Sequence, residues 1–288
     1  MKRLLFLNRL ALLFCLISVT SVQAQHTGDR WASVKSSKSG SLSLAYVETP
    51  GFVYQGKDGE LTGICVDIIN DFVAYVNKKY GVNVTTKFVG NGSSFSAMYS
   101  GVRKSKGGVI GLGNITIRDS RKKEVKFSPA FITNFAILVT QPQVPTLTDI
   151  SRIGETFKGL TAYAPKGTTN EKRLLNIKKK YFPEMTIKSA ASSPETLDNV
   201  LSDKNGFAYL DLAFYLDAIQ IMKCLKRHPV WDQSSEQFGF IMPLNSDWQP
   251  LMKEFFAANG GYTSSMDYKE ILRTHLGDTG IKLLQTAK

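Results

Sequence analysis

The stretch "VDIINDFVAYVNKKYGVNVTTKFV", residues 66–89, places two periodicities back to back. In its first part Val66, Ile69, Val73 and Val76 recur at the spacing of one helical face, and Gly81 supplies a stop. From Val82 onward β-branched and apolar residues alternate with polar ones, which predicts a strand over 82–89. Upstream, "SLSLAYV" (41–47) predicts a strand. Downstream, "SFSAMYSGVRKSK" (94–106) predicts a helix and "GGVIGLG" (107–113) another strand. Alternation of this kind argues a parallel sheet with helices packed on it.

The alternation then restarts. After an extended "NFAILVTQPQVP" (134–145), whose prolines suit a connection, the order is strand 160–165, helix 169–182, strand 185–190, helix 194–204, strand 206–211 and helix 213–225. An extended "EQFGFIMPL" (236–244) precedes helical segments at 247–261 and 267–277. Two successive α/β units in 288 residues fit two lobes of about 100–150 residues each. A hydrophobic content of 43% and a charged content of 21% exclude a fibre, a disordered chain or a disulfide-dense miniature scaffold.

The first residues, "MKRLLFLNRLALLFCLISVTSVQAQ", carry Lys2, Arg3 and Arg9, an apolar run from Leu10 to Val19, and small residues up to Ala24. That order is a secretory signal over 1–24, and its apolar run is shorter than the roughly 20 residues that a membrane-spanning helix needs. The formal charge of +12 loses three cations and no acids with the leader, leaving +9. The cations are scattered and no aromatic stripe accompanies them, so a solvated basic surface is favoured over nucleic acid. Cys65 and Cys224 are then the remaining thiols, expected to be free and buried, although an oxidising compartment would permit a bridge. His26, His228 and His275 lack the neighbours a metal site requires, so neither a metal nor a cofactor is expected. Residues 25–40, "QHTGDRWASVKSSKSG", read as a flexible leader.

Ligands of open α/β sheets sit beyond the carboxyl ends of strands, which directs attention to the loops after Ala45, Gly113, Ala164 and Leu210. The second of these opens "NITIRDSRKKEVKFSPAF" (114–131). There Arg121 offers a planar fork for a carboxylate, Asn114 and Thr116 offer polar groups, and Lys122 and Lys123 belong in solvent. The third, "PKGTTNEK" (165–172), pairs an N-cap at Thr168 with Glu171 in a capping box beside Thr169, a helix start able to receive an anion. Asp211 ends a strand and could answer an ammonium. Tyr46, Phe52 and Phe95 are aromatics placed where they could flank a ligand, or simply fill the core.

Four motifs in this order, "GKDGELTGICVDIINDFV", "GLGNITIRDSRKKEVKFSPAF", "KGTTNE" and "GFAYLDLAFYLDAI", resemble the extracellular solute-binding proteins of family 3, which serve polar amino acid ABC importers. The resemblance covers residues 41 to about 277. It implies an α/β periplasmic binding protein of type II, a two-lobed clamshell with two hinge strands near 132–140 and 235–243. Residues 41–135 and 239–288 would form the first lobe and 136–238 the second. It also implies that Arg121 grips the ligand's α-carboxylate, that Asn114 and Thr116 line the first lobe, that Thr168 and Thr169 reach from the second, and that Asp211 takes the α-ammonium. The implied protein is a periplasmic monomer without enzymatic activity that hands a free amino acid to a permease in the inner membrane. A sensor that presents its closed form to a receptor, and an exported dehydratase on the same clamshell, remain alternatives. Cys65, Gly108 and Ser120 depart from the family pattern, where acidic residues are usual.

Overall fold

The computed structural model describes residues 26–220 and 224–286; the expected signal sequence at 1–24 lies outside the described residues. Two separate mixed sheets organise the chain. The first runs Asn83–Gly92, Ser39–Val47, Val109–Leu112, Ile241–Pro243, Val125–Phe127 in spatial order. Its three earliest strands are parallel, as the alternating sequence predicts, and Ile241–Pro243 enters antiparallel. The second sheet runs Thr186–Ala190, Thr161–Pro165, Gly206–Asp211, Ile132–Thr140, Lys226–Arg227, with Gln233–Phe238 also paired to Ile132–Thr140.

The chain crosses between the sheets twice, after Phe127 and after Phe238. Both crossings lie together, because Ile132 pairs with Phe238 at one end of an antiparallel ladder. The whole of Ile132–Thr140 belongs to the second sheet, so the change of sheet comes a few residues before the boundary at 135/136 that the sequence suggests. Phe52, Phe131, Phe238 and Phe240 are all buried here, with Phe131 and Phe240 stacked at 4.8 Å between ring centroids.

Local sequence sets the element ends. The helix Ile64–Tyr80 stops at Gly81, whose φ of 60° is left-handed and costs a residue without Cβ nothing. Its buried side includes Ile64, Ile68, Ile69, Phe72 and Val76. The expected face is thus correct at Val66, Ile69 and Val76, while Phe72 is more deeply packed than Val73. Ser94, Thr168 and Ser192 cap three helices with their hydroxyl oxygens, each accepting a backbone N–H from three residues on.

Residues 27–37 are not a loose leader. Thr27–Gly28 pairs with Lys106–Gly107, and the helix Trp31–Ser37 follows. The Asp247 carboxylate accepts the Trp31 and Ala32 N–H groups at 2.9 and 3.1 Å, and the Trp31 ring meets Tyr80 and Trp248 edge-on at 5.0 and 5.3 Å. The polar composition of 25–40 conceals this anchor because its apolar contribution comes almost entirely from Trp31 and Val34. The same segment explains Gly108: a Cβ there would overlap the Asp29 carbonyl oxygen, so no acidic residue could occupy the position.

Both described cysteines are free. Cys65 is buried, its thiol donating to the Gly113 carbonyl at 3.7 Å and pushed well above its ordinary pKa by burial. Cys224 is exposed, contrary to the expectation of two buried thiols: it lies beyond the helix Leu212–Gln220 rather than on its inner face.

Candidate functional site

Between the carboxyl ends of the two sheets lies a cavity of about 140 Å³. That is roughly ten times the space one water molecule needs, the size class of a small polar guest. Each parallel strand delivers its following loop to the wall. The first sheet sends residues 47–49, 92–96, and Asn114 with Thr116; the second sends 165–170, 191–194 and Asp211. Four of these segments follow the strands named by the carboxyl-end rule. The loops 92–96 and 191–194 obey the same rule and were legible by it, but their serines carry no distinctive motif.

Arg121 sits on the short helix Asp119–Lys122 and is only 6% exposed. Its guanidinium lies over the Phe95 ring at 4.8 Å and the Tyr99 ring at 5.6 Å, and it donates to the Thr116 carbonyl at 3.1 Å. No carboxylate of the described residues pairs with it. Burial, together with the nearby charge of Arg118, lowers its pKa to about 10, which still leaves it protonated at neutral pH. A buried guanidinium stacked on aromatic faces and lacking a counter-ion is an anion receptor with its donors in reserve.

Asp211 faces the same cavity from the end of Gly206–Asp211. It is enclosed by protein yet open to the cavity. Its carboxylate accepts from the side-chain amides of Asn170 at 3.2 Å, Asn134 at 3.4 Å, and Asn114. Burial, reinforced by the charge of Glu236, raises its pKa to about 6. Behind it, Glu236 is paired with Arg173 at 2.8 Å and accepts from Thr116 Oγ1 at 3.2 Å. Arg173 is therefore committed to Glu236, and Asp211 is held by neutral amides without a direct cationic partner among the described residues.

Bonds already span the cavity. Asn114 reaches Asp211, Thr169 Oγ1 donates to Thr116 Oγ1 at 3.3 Å, and Arg118 donates to Thr169 Oγ1 at 3.5 Å. Asn114, Thr116, Arg121, Thr168, Thr169, Asp211 and Phe95 thus meet at one cavity. Thr168 acts chiefly as a cap: its hydroxyl accepts the Glu171 N–H at 3.2 Å and donates to the Pro165 carbonyl at 2.7 Å, while Glu171 accepts the Gly167 N–H.

Two aromatics of the sequence reading do not line the cavity. Phe52 is 2% exposed and packs on Phe131 and Phe238 in the core, at 6.3 and 5.8 Å. Tyr46 stacks edge-on against Phe88 at 5.7 Å, while its neighbour Val47 takes the cavity wall. Composition could not choose between core and pocket for these residues; Phe95 differs because it begins a helix immediately after a wall-forming loop. Asn134, Asn170, Arg173 and Glu236 support the site without having been singled out, since amides on hinge strands and helix starts carry no spacing of their own.

A profile of the bacterial extracellular solute-binding proteins, family 3, matches residues 42–278, and the chain belongs to that family. No curated protein matches the sequence. Among solved structures, an ancestral arginine-binding protein bound to arginine has 19% identity and a TM-score of 0.65, over 82% of this chain and 98% of its own. A substrate-binding protein of an ABC uptake transporter from Streptococcus pneumoniae, with bound histidine, has 17% identity and a TM-score of 0.66, over 87% and 97%. The ancestral amino acid-binding protein AncCDT-1, a precursor of cyclohexadienyl dehydratase, has 17% identity and a TM-score of 0.66, over 85% and 98%. The fold is accordingly the two-lobed type II clamshell of periplasmic binding proteins, with the two sheets as its lobes. Among the described residues no helix is long and apolar enough to cross a membrane.

Proposed function

We propose that this chain captures a free α-amino acid in the cavity between its sheets and presents the closed form to an ABC importer in the inner membrane. The observation that carries the reading is the pair Arg121 and Asp211. One comes from each sheet, both face one cavity, and neither has a direct ion-pair partner among the described residues. An α-amino acid brings a carboxylate for the first and an ammonium for the second. Thr116, Thr169 and Asn114 add neutral hydrogen-bonding groups around the same centre.

Because the contacts are divided between the lobes, they are complete only when the cleft is shut. The ligand then favours the closed form by its difference in affinity for the two forms, with the crossings near residues 127–132 and 238–241 as the hinge. A dissociation constant of about 1 μM corresponds to about −8 kcal/mol, within reach of one charge-assisted fork, one ammonium contact and apolar burial at Phe95. The protein works as a periplasmic monomer once its leader is removed, and it releases its ligand unchanged.

A thermal-shift screen of the processed protein against the common amino acids tests this. At 1,000 times its dissociation constant a ligand stabilises by about 4 kcal/mol, an unmistakable shift. Stabilisation by at least one L-amino acid, abolished in Arg121→Ala, is expected. Failure of every amino acid to shift the transition, or chemical conversion of the one that binds, would overturn the reading.

A further inference from the structure

Beside the main cavity lies a second one of about 270 Å³, and the two share Phe95, Ser96, Arg121 and Lys166 in their walls. Arg118 lines the second cavity. Its Nε is buried with no hydrogen-bond partner among the described residues, and its long bond to Thr169 Oγ1 at 3.5 Å engages only one Nη. Three cationic groups, Arg118, Arg121 and Lys166, therefore line the second cavity, and two of them, Arg121 and Lys166, also line the first.

The carboxylates nearby in the chain and across the walls are committed elsewhere. Asp119 pairs with Lys122 at 2.9 Å, and Glu124 takes Arg103 at 3.4 Å and the Tyr99 hydroxyl at 2.9 Å. Glu171 accepts the Gly167 N–H, and Glu236 is bound to Arg173. Among the described residues Glu124 is the one acidic residue of the second cavity's wall, against Arg118, Arg121 and Lys166, so that wall remains positive. Burial also lowers the Arg118 pKa, an effect that the charge of Glu236 offsets only in part. On the other side of the ledger, the carboxylates of the main cavity are Asp211 and the exposed Glu48. A ligand with a basic side chain would have to share Asp211 or depend on Glu48.

We infer that the second cavity receives an anionic side chain, and that the preferred ligand is an α-amino acid carrying a carboxylate or comparable acidic group, held by Arg118 and Lys166 while Arg121 holds the α-carboxylate. This rests on the amino-acid reading above and specifies its substrate class. Arg118 is then the specificity residue: its guanidinium meets the side-chain anion.

The test is calorimetry of the processed protein with L-glutamate and L-aspartate against their near-isosteric amides, L-glutamine and L-asparagine. One acidic ligand should bind at least about tenfold more tightly than its amide, the factor expected when a charge-assisted bond replaces a neutral one. Arg118→Gln should reduce that ratio to within about threefold, and Arg118→Lys should restore part of it, since lysine keeps the charge and loses the fork. The ratio is the readout because a merely structural loss would weaken acid and amide alike, and the unliganded melting curve of each variant checks its folding. Tighter binding of neutral or basic amino acids, with the acidic ones weak, would overturn the inference and leave amino acid capture standing. An acid-to-amide ratio unchanged in Arg118→Gln would overturn the role of Arg118. Binding of no amino acid of any class would overturn both readings.

Discussion

Replacing Asp211 by asparagine should move stability and binding in opposite directions. Burial, with Glu236 behind it, raises this carboxyl from 3.8 to about 6 against the opposing pull of Arg173, Asn170 and Asn114. A rise of roughly two units costs the unliganded fold about 3 kcal/mol at neutral pH, because each unit represents about 1.36 kcal/mol between the protonation states. Asparagine has the same shape without the charge. Its Oδ1 can keep Asn170 at 3.2 Å and Asn134 at 3.4 Å as donors. The new amide nitrogen, however, meets the Asn114 amide, which must turn over to present its oxygen. That turn forfeits the bond that Thr49 Oγ1 makes to Asn114 Oδ1 at 3.3 Å, worth about 1 kcal/mol. The net expectation is a gain of about 2 kcal/mol, or a rise in Tm of about 4–8 °C for a chain of this size.

Ligand affinity should fall at the same time. Leaving an ammonium in the closed cleft opposite a neutral amide costs about 2–5 kcal/mol, a loss of about 30-fold or more in Kd. Urea denaturation and thermal melting of unliganded Asp211→Asn measure the first effect, and calorimetry with the bound amino acid measures the second. An unliganded variant that is less stable than the parent, or one that binds with undiminished affinity, would refute the reasoning, because the carboxylate would then be a structural acceptor and not a strained receptor.

Three further outcomes follow from the same geometry. Arg121→Ala should weaken binding by about 30-fold or more while the unliganded Tm changes by less than about 4 °C, since the lost ring contacts are offset by removal of a buried charge that has no counter-ion; calorimetry and melting curves read both. Affinity should fall as pH drops below about 6, where Asp211 takes a proton in the empty protein, by up to about tenfold per unit, whereas the contribution of the same group to unliganded stability is larger at low pH and is lost as pH rises through about 6; titrations at pH 5, 6 and 7.5 check the sign. Trp31→Ala should lower stability by about 2 kcal/mol by releasing its edge contacts with Tyr80 and Trp248, and leave affinity unchanged because the N-terminal helix lies away from the cavity.

The fold was legible in the sequence wherever a periodicity ran long enough to be recognised. Residues 66–89 reveal a helix, its stop and the next strand, because one side of each element must be apolar to pack. The restart of the alternation after residue 145 marks the second sheet for the same reason. The N-terminal helix was hidden because it is anchored by one tryptophan and by an Asp247 cap 216 residues away from the N–H it satisfies, and neither leaves a local pattern. At the site, Arg121, Thr116 and Asp211 were legible from their places after strands. Arg118 was not, because four cations within residues 118–123 carry no local pattern that says which of them turn inward; only coordinates distinguish the guanidinium that does. Phe52 and Tyr46 illustrate the converse: an aromatic in a strand-end loop can face either way, and the packing of Phe131, Phe238 and Phe88 decides it.

Capture in this cavity requires one guest to be held at both ends of its charge. Calorimetry comparing the amino acid that binds with its decarboxylated amine and its deaminated acid examines this most directly. Each analogue should bind at least about 30-fold more weakly than the parent, as expected when a buried charged group loses its partner. An analogue lacking either the amine or the carboxylate that binds as tightly as the intact amino acid would contradict the claim that Arg121 and Asp211 act together on one zwitterion.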